Sequence, residues 1–577
     1  MKKLINSPED VVDEMLQGMV VLNPSLLRLS PLNVLIRSDF AAVRDRQVAL
    51  ISGGGSGHEP AHAGYIGEGM LTAAVAGEIF TSPSVDAIFA AIKAVAGKPG
   101  VLLIVKNYTG DRLNFGLAAE MARAEGIPVG MVIVGDDVAQ RSRNDGGEQQ
   151  SARARGLAGT VLIHKIAGAC TAEGKSLSEV RAATYAAANA MGTMGLALSA
   201  GTSPSLGEPS FSLSDKEIEL GLGIHGEPGV RRMPLASADT LVDTLVENIL
   251  SAREHKSGER IAFLVNNLGA TTPMEIAIVT RHTLASLTSR GLSVERVYSG
   301  TLLTSLDMAG ISLTILSVDD ERLRWLDAVT SAPAWPNFSR QRPSPVGDRV
   351  LAWTAPDSSQ TEVQKPPQSS LGKQAEQAVQ AACTALLQVE PSLTEMDKVV
   401  GDGDLGISMA RGAKAVQHAL PSYPLDDLAA TLKAIGHTLQ RELGGSSGPL
   451  YGVMLFRTAS ALAGRDVADL KQWADALTQA CDAISELGGA RAGDRTMLDA
   501  LIPFAQTFKR EVDTGTPAKE LLEDAVGAAV RGAEQTAQML PRRGRSSYLG
   551  ERALGHPDPG AVAVSIWLGA IVSSISV

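Results

Sequence analysis

One segment of the chain, residues 332–373, divides the sequence into two parts with different patterns. Proline is concentrated there among serine, glutamine and charged residues, and apolar residues are too few to form a core. Short apolar runs alternate with alanine-rich helical stretches before this segment, and only helical spacing remains after it. At 577 residues the chain is also too long for a single core. We expect an α/β part at residues 1–335, a linker at 336–367 and an all-α part at 368–577.

Apolar runs with the length of buried strands recur through the first part. They lie at residues 47–52, 101–106, 129–134, 261–265 and 311–316. Several of them end in glycine-rich or polar loops, and helical sequence follows. Since ligand groups collect at the carboxyl ends of strands in an open α/β sheet, these loops are candidate binding loops. The pattern predicts two α/β lobes.

Two of these loops carry a histidine next to several glycines. The strand at 47–52 leads into residues 53–58, Gly-Gly-Gly-Ser-Gly-His, which is neither a Walker A motif nor Gly-x-Gly-x-x-Gly. In residues 221–229, His225 lies between glycines that keep bulky side chains away from it. An imidazole presented in this way can act as a nucleophile, a metal ligand or a proton carrier. Taken alone, a histidine of this kind is more often incidental to a tight turn.

An acidic cluster is the most distinctive feature of the second part. Asp397, Asp402 and Asp404 fall within eight residues that also contain glycine. Three carboxylates this close repel one another unless a cation neutralises them, and hard oxygen ligands suit Mg²⁺. The twelve-residue spacing of an EF-hand is absent. The alternative is an acidic turn that caps the next helix.

Other turns of the second part carry glycine with hydroxyl or charged side chains. They lie at residues 444–448, 493–499, 544–550 and 555–560. Each is a weak signal alone, because glycine at a helix end is often only a cap. Together they are typical of a nucleotide site built from helix ends.

Composition excludes some partners. The net charge of −11 argues against nucleic acid. The three cysteines are far apart and indicate reduced thiols in a cytoplasmic protein. Residues 561–577 are nearly all apolar, but four serines and the lack of basic flanks favour a buried final helix over a membrane anchor. We therefore expect no nucleic-acid and no membrane partner.

The motifs of both parts resemble the single-chain, ATP-dependent dihydroxyacetone kinases. In the first part the resemblance is carried by residues 53–60, 78–83, 106–111, 223–229 and 266–271. In the second part it is carried by residues 397–404, 444–452, 493–499 and 556–560. The motifs are long, occur in the same order and leave out only the linker.

The resemblance implies that the first part binds a short ketose and the second part binds ATP. It implies that His225 holds the ketone covalently as a hemiaminal and that His58 and Asp111 carry out proton transfer. The implied substrate pocket consists of Gly55, Ser56, Gly57, His58, Lys106 and Asp111. The second part resembles an eight-helix barrel in which Asp397, Asp402 and Asp404 bind two Mg²⁺ ions. The implied nucleotide contacts are Leu405, Gly406, Ile407, Ser408, Ser446, Ser447, Gly488, Met497, Arg545, Asp558, Pro559 and Gly560. The resemblance also implies a cytoplasmic homodimer.

Two features depart from the family pattern. Leu405 stands where a polar residue is usual after Asp-Gly-Asp, and the arginine-rich segment 141–155, which we interpret as a solvated loop, is unusually long. Erythrulose kinase activity, cleavage of FAD to a cyclic flavin phosphate, and a ketose-sensing regulator without activity remain alternatives. A regulator would be expected to lack site residues, whereas His58, Asp111, His225 and the three aspartates are present.

Overall fold

The computed structural model describes residues 2–139, 154–204, 207, 209–227, 229–336, 342–343, 369–401, 403–443, 446–465 and 469–575. The chain forms two compact units, Met1–Ala352 and Trp353–Val577. Most of the expected linker, residues 337–341 and 344–367, lies outside the described residues. The boundaries 1–335 and 368–577 therefore stay predictions.

The first unit contains two six-stranded sheets with helices on their faces. The first sheet has the order β1-β2-β4-β3-β5-β6. Its strands are β1 (Leu26–Arg28), β2 (Val34–Arg37), β3 (Ala49–Ser56), β4 (Ala73–Ile79), β5 (Val101–Lys106) and β6 (Val129–Val134). Strands β4, β3, β5 and β6 are parallel neighbours. The helices of this lobe are α1 (Val11–Leu22), α2 (Phe40–Val43), α3 (Val85–Val95), α4 (Thr109–Ala124), α5 (Thr160–Ala172) and α6 (Leu177–Asn189).

The second sheet has the order β11-β10-β12-β7-β8-β9. Its strands are β7 (Met191–Ala197), β8 (Glu217–Leu220), β9 (Arg231–Pro234), β10 (Arg260–Asn267), β11 (Ser293–Gly300) and β12 (Gly310–Ser317). Its helices are α7 (Ala238–Arg253), α8 (Pro273–Ser289) and α9 (Asp320–Asp327). One apolar core joins the inner faces of both sheets around α5, with Leu50, Ile166 and Leu264 among its members. The two-lobed α/β prediction is confirmed.

The second unit is helical throughout its described residues. Its helices are α10 (Ser370–Gln388), α11 (Glu390–Val400), α12 (Leu405–Ala419), α13 (Leu428–Glu442), α14 (Ser447–Leu462), α15 (Leu470–Gly488), α16 (Leu498–Thr514), α17 (Ala518–Gln535) and α18 (Pro559–Ser574). From α12 to α18 each helix packs against the next, and α10 packs against both α18 and α12. These eight helices close a ring, and α11 contacts α10, α12 and α18. The barrel-like all-α fold is confirmed.

The apolar C-terminal segment forms α18, which contacts α10, α16 and α17. Its buried residues include Ala561, Val564 and Leu568. This agrees with the expected buried final helix. Within the described parts of the chain, every helix is too short or too polar to span a bilayer.

Candidate functional site

The glycine run at the end of β3 lets two charged side chains approach its backbone closely. A Cβ atom at Gly54 would lie 2.7 Å from Lys106 Nζ and 3.5 Å from Asp111 Oδ2. A Cβ atom at Gly55 would lie 2.6 Å from the backbone of Phe80. Gly57 has a φ of +102°, which glycine adopts without strain. Glycine is therefore required here, because it lets Lys106, Asp111 and the Phe80 backbone lie close to the strand.

Lys106 and Asp111 both lie close to the backbone of Gly54. Lys106 is the last residue of β5, and Asp111 lies in the first turn of α4; both are buried. Among the described residues, neither Lys106 Nζ nor Asp111 Oδ1 has a hydrogen-bond partner. Burial lowers the pKa of Lys106, although the charge of Asp111 opposes this shift. Buried polar atoms without partners are rare, so this pair indicates a site for a polar ligand.

His58 is fully buried in the turn that follows β3. Its Nδ1 lies 2.8 Å from the carbonyl oxygen of Thr304, to which it donates when it carries the proton. The ring nitrogen Nε2 then holds a lone pair, and it has no hydrogen-bond partner within the described residues. Burial lowers the pKa of His58 well below its usual value, and the nearby charges of Lys106 and His225 add to this effect. His58 is therefore a neutral imidazole that can accept a proton at Nε2.

The His225 ring is surrounded by three other rings. Its centroid lies 4.8 Å from that of His58, 5.2 Å from that of Phe80 and 4.5 Å from that of Tyr108. His225 Nδ1 donates to Glu227 Oε1 at 2.9 Å, and the His225 backbone N–H donates to Glu227 Oε2 at 3.0 Å. A carboxylate accepts only, so Nδ1 carries the proton, and in the neutral ring Nε2 holds the lone pair. This is the tautomer that a nucleophilic imidazole needs.

Glu227 is a site residue that the sequence reasoning missed. Burial by itself raises the pKa of its carboxyl, but the hydrogen bond and charge of His225, with backbone donors, lower that pKa to about 2. The loop permits this contact because a side chain at Gly223 would collide with the Glu227 carboxylate. An acidic residue two positions after a candidate nucleophile was the signal that could have identified it.

In the second unit, Asp397 joins the end of α11 to the start of α12. Its Oδ2 accepts from the backbone N–H groups of Asp404 and Leu405, at 3.0 and 3.1 Å. Asp404 is the N-cap residue of α12, without a side-chain cap hydrogen bond. The third expected ligand, Asp402, lies outside the described residues. Among the described residues no cluster of three potential metal-binding side chains occurs. Of the three expected ligands, the structure places Asp397 and Asp404 next to each other.

The expected nucleotide contacts lie at helix ends. A Cβ atom at Gly488 would lie 3.3 Å from Leu450 Cδ2, which places the end of α15 beside the start of α14. A Cβ atom at Gly560 would lie 4.0 Å from Met497 Cβ, so α18 and α16 begin side by side. The helix starts carry Leu405, Gly406, Ile407, Ser408, Ser446, Ser447, Met497, Asp558, Pro559 and Gly560. Arg545 begins a short 3₁₀ turn, and its side chain lies outside what the structure describes.

Asp558 shows that these helix ends are close to the acidic residues. Its Oδ1 accepts from the backbone N–H of Ala561 at 2.8 Å. Desolvation raises the pKa of Asp558 to about 6; the charge of Arg495 opposes this rise, and the charges of Asp499 and Asp397 add to it. Three carboxyl groups and one buried guanidinium therefore interact around the start of α18.

The arginine-rich segment is described only at its end. Residues 141–153 lie outside the described residues. Ala154 is buried, and the Arg155 side chain is 11% exposed and paired with Asp137 at 2.7 Å. These last two residues are therefore internal rather than part of a solvated loop.

Comparison with known proteins covers both units. Residues 17–334 match the Dak1 domain family, and residues 399–573 match the DAK2 domain family. The chain is 43% identical to triokinase/FMN cyclase of Homo sapiens, over 99% of each chain. It is 37% identical to L-erythrulose 1-kinase of Mycolicibacterium smegmatis, again over 99% of each chain.

A solved structure resembles the whole chain. The dihydroxyacetone kinase of C. freundii in its native form is 35% identical, covers 100% of both chains and gives a TM-score of 0.63. Its complex with AMP-PNP and Mg²⁺ gives a TM-score of 0.60.

The relatives are kinases of small molecules, and a solved relative binds an ATP analogue with Mg²⁺, so the chain is a small-molecule kinase. The chain belongs to the dihydroxyacetone kinase family, with its Dak1 and DAK2 domains in one polypeptide.

Proposed function

We propose that this kinase phosphorylates dihydroxyacetone with ATP while His225 holds the ketone as a hemiaminal. The observation that carries the proposal is the His225–Glu227 contact. It leaves a lone pair on Nε2 of the neutral His225 ring, which contacts the His58 ring. A neutral imidazole adds readily to a ketone carbonyl but has no such reaction with an alcohol. The covalent step would thus select ketoses over glycerol.

The addition step balances with one proton from solvent water. His225 Nε2 forms a bond to the carbonyl carbon, and the C=O π electrons move to the oxygen, which takes up that proton while the ring becomes an imidazolium. The positive charge that develops on the imidazole is shared through Nδ1–H with the carboxylate of Glu227. Because the pKa of Glu227 is about 2, its carboxylate is ionised and can stabilise this charge at neutral pH.

The hydroxyl that receives the phosphoryl group would lie near Asp111 and His58. We assign both as proton acceptors, because each has an unpartnered acceptor atom among the described residues. Lys106 would bind ligand oxygens on the same side of Gly54 as Asp111. Gly55, Ser56 and Gly57 would line the pocket with their backbone. Phosphoryl transfer needs positioning and charge neutralisation more than covalent help from the protein.

We propose that Asp397, Asp402 and Asp404 hold the Mg²⁺ ions, two in number, that accompany ATP. Asp397 and Asp404 fit a hard cation, since both are carboxylates at one helix junction in an acidic region. Magnesium would supply charge neutralisation of the phosphates. The helix-end residues named above, with Gly488 and Arg545, would contact the nucleotide through backbone N–H groups and side chains. The homodimeric state and cytoplasmic location stay predictions.

Activity with a panel of ketoses tests the proposal. With ATP and Mg²⁺, we expect turnover of dihydroxyacetone and none of glycerol. The names of two relatives, L-erythrulose 1-kinase and triokinase/FMN cyclase, make erythrulose and FAD the two comparison substrates. A preference for erythrulose would change the assigned substrate but keep the mechanism. Ketone binding without turnover of any ketose would contradict the proposal and favour a sensor.

A further inference from the structure

The buried ion pair between Arg155 and Asp137 lies next to the His225 loop. Arg155 Nε donates to Asp137 Oδ2 at 2.7 Å, and the two side chains are 11% and 1% exposed. Asp137 Oδ1 accepts from the backbone N–H of Ala139 at 2.8 Å. Burial raises the pKa of Asp137 to about 6, and the charge of Arg155 opposes this shift. At neutral pH the carboxylate is therefore ionised and paired with the guanidinium.

This pair connects three segments of the first unit. Asp137 follows β6 of the first sheet and forms a β-bridge with Thr193 in β7 of the second sheet. Arg155 precedes α5, and its backbone oxygen accepts from the Asp137 N–H at 3.0 Å. Arg155 Nη2 also donates to the carbonyl oxygen of Gly221 at 2.7 Å. The guanidinium thus joins both sheets to the first residue of the His225 loop.

The side chains of Arg155 and Glu227 both lie against the backbone of Gly223. A Cβ atom at Gly223 would lie 2.7 Å from Arg155 Nη1 and would collide with Glu227 Oε2. Arg155 therefore lies along the backbone whose shape brings Glu227 to His225.

Among the described residues, the backbone–backbone hydrogen bonds in the middle of the loop are long. Gly223 N–H donates to the Glu227 carbonyl at 3.3 Å, and Gly226 N–H donates to the Gly223 carbonyl at 3.4 Å. The shorter contacts there are those of the Glu227 carboxylate with His225. The ends of the loop are bonded to other segments, where Gly221 N–H donates to Gly195 O at 2.7 Å and Gly229 N–H donates to Glu219 Oε1 at 2.8 Å. Because glycine-rich backbone has many accessible conformations, such a loop needs an external anchor to hold one of them.

We infer that Arg155, held by Asp137, is a positioning residue that places His225 for addition to the ketone. The inference rests on the proposed covalent step, to which it adds a residue that touches neither substrate nor nucleotide. Arg155 does not react in this role. It holds the loop backbone in one conformation, which sets the distance between His225 Nε2 and the carbonyl carbon.

The test compares three variants of the full chain. Arg155→Met removes the guanidinium, and Arg155→Lys keeps the charge but loses the second hydrogen-bonding nitrogen. The double variant Asp137→Asn/Arg155→Met removes both charges, so that no unpaired charge stays buried. The matched control is Arg296→Met. Arg296 pairs with Asp327 through two hydrogen bonds of 2.8 and 2.6 Å on the outer strand β11.

The main measurement is hemiaminal formation with [2-¹³C]dihydroxyacetone, observed as a tetrahedral carbon by NMR. KM for the ketone, KM for ATP and Tm are measured for each variant as well. Since a misplacement of about 1 Å can cost roughly 100-fold, we expect the adduct formation constant to fall by about 10- to 100-fold in the Met variants. We expect KM for the ketone to rise with it, KM for ATP to stay unchanged, and a smaller effect for Arg155→Lys. The control should lower Tm without altering the adduct.

Two outcomes are distinguishable. If the unsubstituted enzyme forms no hemiaminal, the proposed function fails and takes this inference with it. If it forms the adduct and the folded double variant forms it equally well, the inference is wrong while the covalent step stands.

Discussion

Substitution of Glu227 by Gln tests how far the carboxylate prepares His225 for addition. The change keeps the volume and one acceptor oxygen but removes the negative charge that faces Nδ1 at 2.9 Å. A hydrogen bond to a charged group contributes about 1.5–3 kcal/mol. Because the Glu227 side chain is 36% exposed, solvent screening places the effect near the lower end, about 1.5 kcal/mol. Each 1.4 kcal/mol is tenfold, so the adduct formation constant should fall roughly tenfold.

The assay is a titration of Glu227→Gln with [2-¹³C]dihydroxyacetone, with ATP affinity measured separately by calorimetry. The chain offers a matched control in Glu259, which accepts from His255 Nδ1 at the same 2.9 Å and is 31% exposed. Its other side-chain hydrogen bonds go to Lys256 and Ser317. Glu259→Gln removes an equivalent histidine–carboxylate pair away from the site.

We expect Glu227→Gln to weaken the adduct roughly tenfold with unchanged ATP affinity, and Glu259→Gln to leave both unchanged. Equal adduct formation in Glu227→Gln and the unsubstituted enzyme would refute the role assigned to the charge of Glu227. Equal losses in both variants would show a general effect of stability instead.

Three further predictions follow from other parts of the molecule. Asp404→Asn should abolish Mg²⁺-dependent ATP binding, measured by calorimetry, while the ketone adduct forms as before; retained ATP affinity and turnover would exclude this carboxylate as a metal ligand. His164 is buried, and its Nε2 lies 2.9 Å from His62 Nδ1. Burial lowers the pKa of His164 from 6.5 to about 3. The stability that the neutral ring contributes is therefore complete above pH 6.5 and is lost as the pH falls from 6.5 towards 3. The free energy of unfolding in urea should therefore drop between pH 7 and pH 5 by about 2 kcal/mol more in the unsubstituted protein than in His164→Gln; equal drops would contradict the assigned neutral state. Fragments 1–335 and 368–577 should fold separately and restore phosphorylation when mixed, at a rate that rises with their concentration, whereas folded but inactive fragments would contradict these boundaries.

The strands that sequence alone locates well are those with continuous apolar runs. Strands β5 and β6 match the expected 101–106 and 129–134 residue for residue. Strand β3 instead continues through the glycines to Ser56, because pairing with both β4 and β5 extends a segment that looks like a loop. Strands β4 and β7 were missed, since Ala- and Gly-rich sequence lacks the usual strand pattern and becomes a strand only through its neighbours.

The helical unit shows the same dependence on tertiary context. The helical spacing of residues 374–389, 425–443, 467–487, 496–511 and 517–540 predicts five helices, and α10, α13, α15, α16 and α17 form there. Helix α14 begins with Ser-Gly-Pro-Leu-Tyr-Gly, which resembles a turn, and its buried residues include Tyr451 and Leu462. Burial against neighbouring helices supplies the stability that glycine and proline remove.

In the site, sequence identified the residues with unusual local chemistry and missed those whose role depends on contact. His225, His58, Lys106 and Asp111 were identified through motifs, and the structure places the two histidines in ring contact and the other two beside Gly54. Arg155 is 66 residues from its acceptor Gly221 along the chain. Such a contact has no local pattern that could predict it.

The most direct test of the central claim is a crystal structure of the unsubstituted enzyme soaked with dihydroxyacetone. Continuous electron density between His225 Nε2 and a tetrahedral substrate carbon is the result that we predict, with the Glu227 carboxylate still at hydrogen-bond distance from Nδ1. A fully occupied, planar ketone separated from His225 by a van der Waals gap would contradict the claim.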